Sequence, residues 1–128
     1  MQVKLTNLKQ IPVHGGDVYH IINSKSSGFR GFGEVYISFV KAGCKKGWKM
    51  HKEMTLNLVV PIGEVHFKFE LDNGEFLEIN ISPSNYKRIT VRPNTWFCFQ
   101  NKGNEDAMVL NFSDIHHQEN EVIRRNDL

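Results

Sequence analysis

The sequence lacks the marks of several large protein classes. No apolar run reaches the roughly 20 residues that cross a bilayer as a helix, and the opening Met1-Gln2-Val3-Lys4-Leu5 contains no apolar leader. A cytoplasmic protein with no membrane partner is the expectation. Cysteine is scarce: Cys44 and Cys98 are too few and too far apart for a disulfide framework or a zinc ribbon, and read as structural thiols. An excess of one charge is missing too. Sixteen Lys and Arg against fourteen Asp and Glu leave a formal net charge of +2, so bulk charge gives no reason to expect a nucleic-acid partner. An anionic small-molecule group held in one pocket remains open. Repeats, linkers and low-complexity tracts are absent.

What is present is an ordinary globular composition, 40% hydrophobic and 23% charged over 128 residues. A chain of this length buries about two-thirds of its unfolded surface, enough for one core, so a single domain over residues 1–128 is expected. Period-two patterning dominates. From Glu64 to Leu71 apolar and polar residues alternate strictly, and Asp72-Asn73-Gly74 then supplies a turn that accepts positive φ before a second short strand, Phe76 to Ile81. Further strands are predicted at Val3–Leu8, Asp17–Ile22, Gly33–Lys41, Thr55–Val60, Lys87–Arg92, Trp96–Gln100 and Ala107–Phe112, about nine in all. A short helix has room only at Glu119–Arg125. Many short strands at this spacing predict an all-β sandwich or closed barrel.

Gly43 to Lys52, followed by Gly63 twelve residues after His51, is similar to the first cupin motif, with Lys49 and His51 at its two histidine places. Pro93-Asn94-Thr95-Trp96-Phe97-Cys98 resembles the second, with Cys98 at the histidine place and Lys102 at the asparagine place. The fold this implies is a cupin, an RmlC-like jelly-roll β-barrel of two antiparallel sheets. A cupin metal site needs three or four N or O ligands, of which only His51 is kept, and an ammonium at Lys49 would repel a divalent cation. No metal or other cofactor is expected.

The metal-free cupins that act on sugar nucleotides are the closer match. Arg30-Gly31-Phe32-Gly33-Glu34 resembles the nucleotide-contacting stretch of the dTDP-4-dehydrorhamnose 3,5-epimerases. Lys46 to Lys52 is similar to the Arg-Gly-x-His-Ala-His-Lys block of the dTDP-4-keto-6-deoxyglucose 3,4-ketoisomerases, and Leu110 to His117, then Glu119, Glu121 and Ile123, resembles the C-terminal strand and tail of both groups. The resemblance implies epimerase or ketoisomerase activity on a nucleotide-linked 4-keto-6-deoxy hexose in bacterial surface-polysaccharide synthesis. The substrate partner would be a nucleotide sugar, most simply dTDP-linked, and the assembly a homodimer that shares N-terminal strands.

Such chemistry removes a proton next to a ketone, so it needs a base and a donor at the developing enolate. His51 is the candidate base, and strand alternation puts Lys49 on the same face. Lys49 also stands where the 3,5-epimerases carry their basic histidine, and Leu110 roughly where they carry their tyrosine acid. Lys49 is therefore either a second base or an electrostatic aid. Tyr36 resembles a tyrosine of the ketoisomerase pocket. For substrate binding, Arg30, Lys46 and Arg92 are candidates for the diphosphate, Glu34 for the nucleotide, and Trp48 and Trp96 for stacking. His66 and Lys68 join the site only if their strand face lines the barrel, and His116 and His117 are expected in an exposed acidic tail with Glu119 and Glu121. Loss of both family acid–base groups motivates a second reading, a catalytically silent cupin that binds a nucleotide sugar or regulates a partner enzyme. A metal-dependent cupin is the third.

Overall fold

The structure, a computed structural model, describes residues 1–125. The last three residues of the expected single domain lie outside the described part. Among the described residues there are twelve strands: β1 (Val3–Asn7), β2 (Gln10–Ile11), β3 (Val18–Tyr19), β4 (Glu34–Val40), β5 (Lys45–His51), β6 (Leu56–Ile62), β7 (Val65–Glu70), β8 (Phe76–Ile81), β9 (Lys87–Val91), β10 (Trp96–Gln100), β11 (Ala107–Ser113) and β12 (Val122–Arg124). They form two five-stranded antiparallel sheets, ordered β1-β9-β6-β11-β4 and β12-β5-β10-β7-β8, and a small β2-β3 hairpin. This is the all-β, two-sheet arrangement that the strand spacing and the cupin resemblance predict. No helix among the described residues is long and apolar enough to cross a membrane.

Alternation explains the core. Val65, Phe67 and Phe69 of β7 are fully buried, and Phe67 stacks on Phe69 at 6.1 Å while Phe97 and Phe99 of β10 lie beside them. Leu56, Leu58 and Val60 of β6 close the same layer from the other sheet. The opposite face of β7 carries His66 and Lys68 outward: His66 bonds Glu78 and Asn80 on the adjacent strand. That settles the open alternative, since His66 and Lys68 lie on the outside of the sheet. The predicted hairpin is there as well, its turn closed by Gly74 N–H donating to Leu71 O at 2.9 Å. Of the two thiols, Cys98 is buried and Cys44 exposed.

Two expectations need correction. The stretch Asp17–Ile22 contributes only a two-residue strand, since it pairs with β2 and not with either large sheet. The tail is not a helix. A single 3-10 turn at Glu119–Glu121 is followed by β12, which pairs with β5 in the register Val122–His51, Ile123–Met50 and Arg124–Lys49. The β-branched pair Val122-Ile123 favours a strand, and β5 offers it a free edge.

Candidate active site

Two strand edges face each other where β4 ends the first sheet and β12 ends the second. Between them opens a cavity of about 570 Å³, lined from β4 by Glu34, Tyr36 and Ser38, from β5 by Lys46, Lys49 and His51, and from the C-terminal segment by His117 and Arg124. That volume suits a small-molecule ligand. Deeper in, Tyr36, Lys49 and His51 meet the apolar floor formed by Leu58, Phe97, Phe99 and Val109.

His51 is the best-defined group. Its ring is 3% exposed, and Nδ1–H donates to Glu121 Oε1 at 2.7 Å. The other carboxylate oxygen of Glu121 accepts the backbone N–H groups of Glu53 at 3.0 Å and Met54 at 2.9 Å. Burial alone would raise the Glu121 carboxyl, but these hydrogen bonds and His51 hold it below the ordinary carboxylate value. An ionised Glu121 only accepts, so Nδ1 carries the ring proton and Nε2 is the free base nitrogen. Nε2 is buried, with no hydrogen-bond partner among the described residues. Burial pulls the His51 pKa below 6.5, against the opposing pull of Glu121. The ring's backbone is pinned too: Asn94, at φ 66° in the Pro93-Asn94 turn, donates its N–H to His51 O at 2.7 Å.

The neighbours complete the chemistry. Lys49 Nζ sits over the rings of Phe97 at 5.6 Å and Phe99 at 5.8 Å. Burial, then the charges of Arg124 and Lys46, pull its pKa below 10.5. The Tyr36 hydroxyl accepts from Asn111 Nδ2 at 2.9 Å and faces Met54 Sδ at 3.9 Å. Burial pushes its phenol pKa up, partly offset by Asn111 and reinforced by Glu34, so it is a protonated donor at neutral pH. Glu34 accepts the backbone N–H of His117 at 2.8 Å, a contact that Gly33 permits: a Cβ there would collide with the backbone of Ile115.

The structure thus brings together Glu34, Tyr36, Lys46, Lys49 and His51, and separates the rest. Arg30 and Arg92 line a different cavity, of about 320 Å³, with Lys4, Gly28 and Thr90. Trp48 and Trp96 pack on the outer face of the second sheet against the guanidinium of Arg125, at 4.6 and 4.5 Å. Alternation is the reason, since Trp48 must point away from the side that Lys49 and His51 occupy. Two cavity-lining groups, His117 and Arg124, and the buried partner of His51, Glu121, were not among the predicted site residues. Glu121, expected in an exposed tail, is 2% exposed. His117 is surface-exposed as expected, yet it borders the cavity. The one local signal was the Val122-Ile123 strand pair; nothing local names His51 as the partner of Glu121. A divalent cation does not fit the donor set, because one imidazole nitrogen is free, Glu121 is fully engaged, and Lys49 stands beside them.

Known proteins share this chain's fold and family. No curated protein matches the chain in sequence. A dTDP sugar isomerase from Desulfovibrio desulfuricans G20 is 33% identical, with a TM-score of 0.91 over 97% of this chain and 83% of that one. QdtA, a sugar 3,4-ketoisomerase from Thermoanaerobacterium thermosaccharolyticum solved with TDP, is 20% identical, with a TM-score of 0.83 over 98% and 90%. ChmJ, a 3'-monoepimerase from Streptomyces bikiniensis solved with dTDP-quinovose, shares the fold at 10% identity, with a TM-score of 0.87 over 99% and 71%. Residues 1–127 match the family described as FdtA: WxcM-like, C-terminal. The chain belongs to that WxcM-like family.

Proposed function

We propose that this chain, acting as one cupin domain over residues 1–128, is a metal-independent isomerase or epimerase of a nucleotide-linked 4-keto-6-deoxy hexose, with dTDP as the nucleotide. The observation that carries the reading is the His51–Glu121 pair: His51 lines the cavity, its Nδ1 is bonded to Glu121, and its Nε2 is left without a hydrogen-bond partner among the described residues. Three structural relatives named for dTDP-sugar isomerisation or epimerisation support the substrate class.

His51 Nε2 takes the proton from the sugar carbon adjacent to the C4 ketone. The electrons of that C–H bond form the C3–C4 double bond, and negative charge moves to the C4 oxygen. The Tyr36 hydroxyl and the Lys49 ammonium stabilise this oxyanion in a site from which burial excludes water. Glu121 holds the ring in the required tautomer and balances the imidazolium that forms. Return of the proton from His51 to C4, with transfer of the O3 proton to the C4 oxygen, gives the 3-keto isomer; protonation of C3 on its other face by solvent, with the C4 ketone re-formed and the His51 proton released to solvent, gives the epimer. Lys46 and Arg124, at the cavity's outer wall, compensate the diphosphate. Arg30, Arg92 and Trp96 have no part in this reading, because they lie off the cavity; Trp48 borders an adjoining cavity with Lys46, Lys49 and Arg124 and is given no role. Bacterial surface-polysaccharide synthesis is the role that the family resemblance supports.

The test follows deuterium from solvent into a dTDP-4-keto-6-deoxyhexose, together with the product's structure. His51→Ala should lower exchange about 100- to 10,000-fold while nucleotide affinity stays within a few-fold. Exchange at the wild-type rate in folded His51→Ala would remove His51 as base, and no exchange with the wild-type protein would favour the silent, binding-only cupin.

A further inference from the structure

The chemistry above leaves unused a guanidinium packed between two indoles. Arg125 follows β12, yet its side chain lies across the second sheet. Its Cζ is 4.6 Å from the Trp48 ring on β5 and 4.5 Å from the Trp96 ring on β10, and its Nη2 forms an ion pair with Glu70 on β7. Sheet order makes this a span over three strands, since β12, β5, β10 and β7 are successive neighbours. Trp96 and Glu70 are themselves cross-strand partners.

We infer that Arg125 is the fastener of the C-terminal strand: by crossing the sheet to Trp48, Trp96 and Glu70 it holds β12 on β5, and so keeps Glu121 against His51. Arg125 is a positioning residue, and the inference rests on the reading of His51 as the proton-transfer group.

The strand's own residues bury little. It is three residues long and pairs on one side only. Ile123 is 39% exposed, and the Arg124 side chain is 57% exposed, engaged outward with Glu119 at 2.8 Å. Short edge elements with few buried apolar contacts open locally at small free-energy cost. The remaining ties are the Glu121 carboxylate's own bonds to His51, Glu53 and Met54, the backbone bonds from Lys52 N–H to Glu121 O at 2.9 Å and from Arg125 N–H to Trp48 O at 3.2 Å, and the β5 ladder; of these only the ladder and the Arg125 bond hold the strand beyond Glu121. Arginine suits the position for a geometric reason. A planar guanidinium can lie between two ring faces and still direct an N–H to a carboxylate in its plane, whereas a lysine ammonium keeps the charge and loses the stacking.

The experiment compares wild type, Arg125→Ala, Arg125→Lys and Glu70→Gln. It reads amide hydrogen exchange over residues 119–124, the His51 tautomer by ¹⁵N NMR, and kcat on the keto-sugar. Arg125→Ala should speed exchange in that segment, mix the His51 tautomers, and lower kcat about 10- to 100-fold, the scale of a catalytic group displaced by about 1 Å. Arg125→Lys should recover part of each. Should Arg125→Ala fold poorly, Glu70→Gln, which deletes only the ion pair, should show the same changes at smaller amplitude. Wild-type exchange and a wild-type His51 tautomer in folded Arg125→Ala or Glu70→Gln would overturn the inference. If the segment loosens and the tautomers mix while turnover is unchanged, the fastener stands and the role given to His51 falls.

Discussion

Replacing Glu121 by glutamine keeps the side chain's length and shape, yet it should be more damaging than truncation to alanine. In the native site one carboxylate oxygen accepts two backbone N–H groups, from Glu53 and Met54, and the other accepts His51 Nδ1–H. A glutamine has one acceptor oxygen. If that oxygen turned to His51, the buried Met54 amide would lose its partner, at about 1–3 kcal/mol, and the part-buried Glu53 amide would lose its own at a smaller cost. The oxygen therefore stays with the amides, and the NH2 group faces Nδ1. Nδ1 must then accept, so the ring proton moves to Nε2, and the base nitrogen is blocked. Locking an orienting carboxylate's histidine in the wrong tautomer costs about 10⁴-fold elsewhere, so a loss of about 10³- to 10⁴-fold is expected in Glu121→Gln. In Glu121→Ala the ring samples both tautomers, and a loss of about 10- to 100-fold is expected, on the scale of misplacing a catalytic group. Solvent deuterium incorporation measures both rates, and ¹⁵N NMR of His51 identifies the protonated nitrogen. Glu121→Gln at or above the Glu121→Ala rate, or with Nδ1–H retained, would refute the reasoning.

Burial holds the His51 pKa below 6.5, so the neutral base persists into mildly acid solution, and the acid limb of kcat/KM should lie below 6.5; a limb above 7 would contradict it. The same shift makes the unfolded chain take up the proton first, so His51's contribution to stability is present above 6.5 and is lost as pH falls from there toward the folded pKa; thermal unfolding between pH 7 and 5 tests this. Lys49→Met keeps the contact with Phe97 and Phe99 and removes the charge. It should lower kcat about 100-fold if the ammonium only stabilises the oxyanion, and a loss equal to that of His51→Ala would make Lys49 a base as well. β4 exposes Val35 at 45%, Ile37 at 44% and Phe39 at 62%, the last two also bordering the site cavity, an apolar strip on a sheet edge that a second copy would cover. Light scattering at micromolar concentration should report a dimer, and a mass near 14.8 kDa would reject that assembly.

Much of this protein was determined by the sequence alone, wherever the rule is local. Strict alternation in Glu64–Leu71 sets which face of β7 is core, and Asp72-Asn73-Gly74 sets the turn to β8. The two-residue step from Lys49 to His51 places both on one side of β5 and by the same rule sends Trp48 to the other. Only the tertiary structure decided what those faces meet. Glu121 lies 70 residues from His51 in sequence, and its pairing depends on a three-residue strand finding the free edge of β5, a non-local event that no spacing encodes. Arg30 and Arg92 match cation positions in sequence, yet converge on another cavity, because the path of the chain across the outer face of a sheet follows from packing. Periodicity reports orientation relative to the strand itself; a site needs the relative placement of strands far apart in the chain, which burial of the shared core fixes.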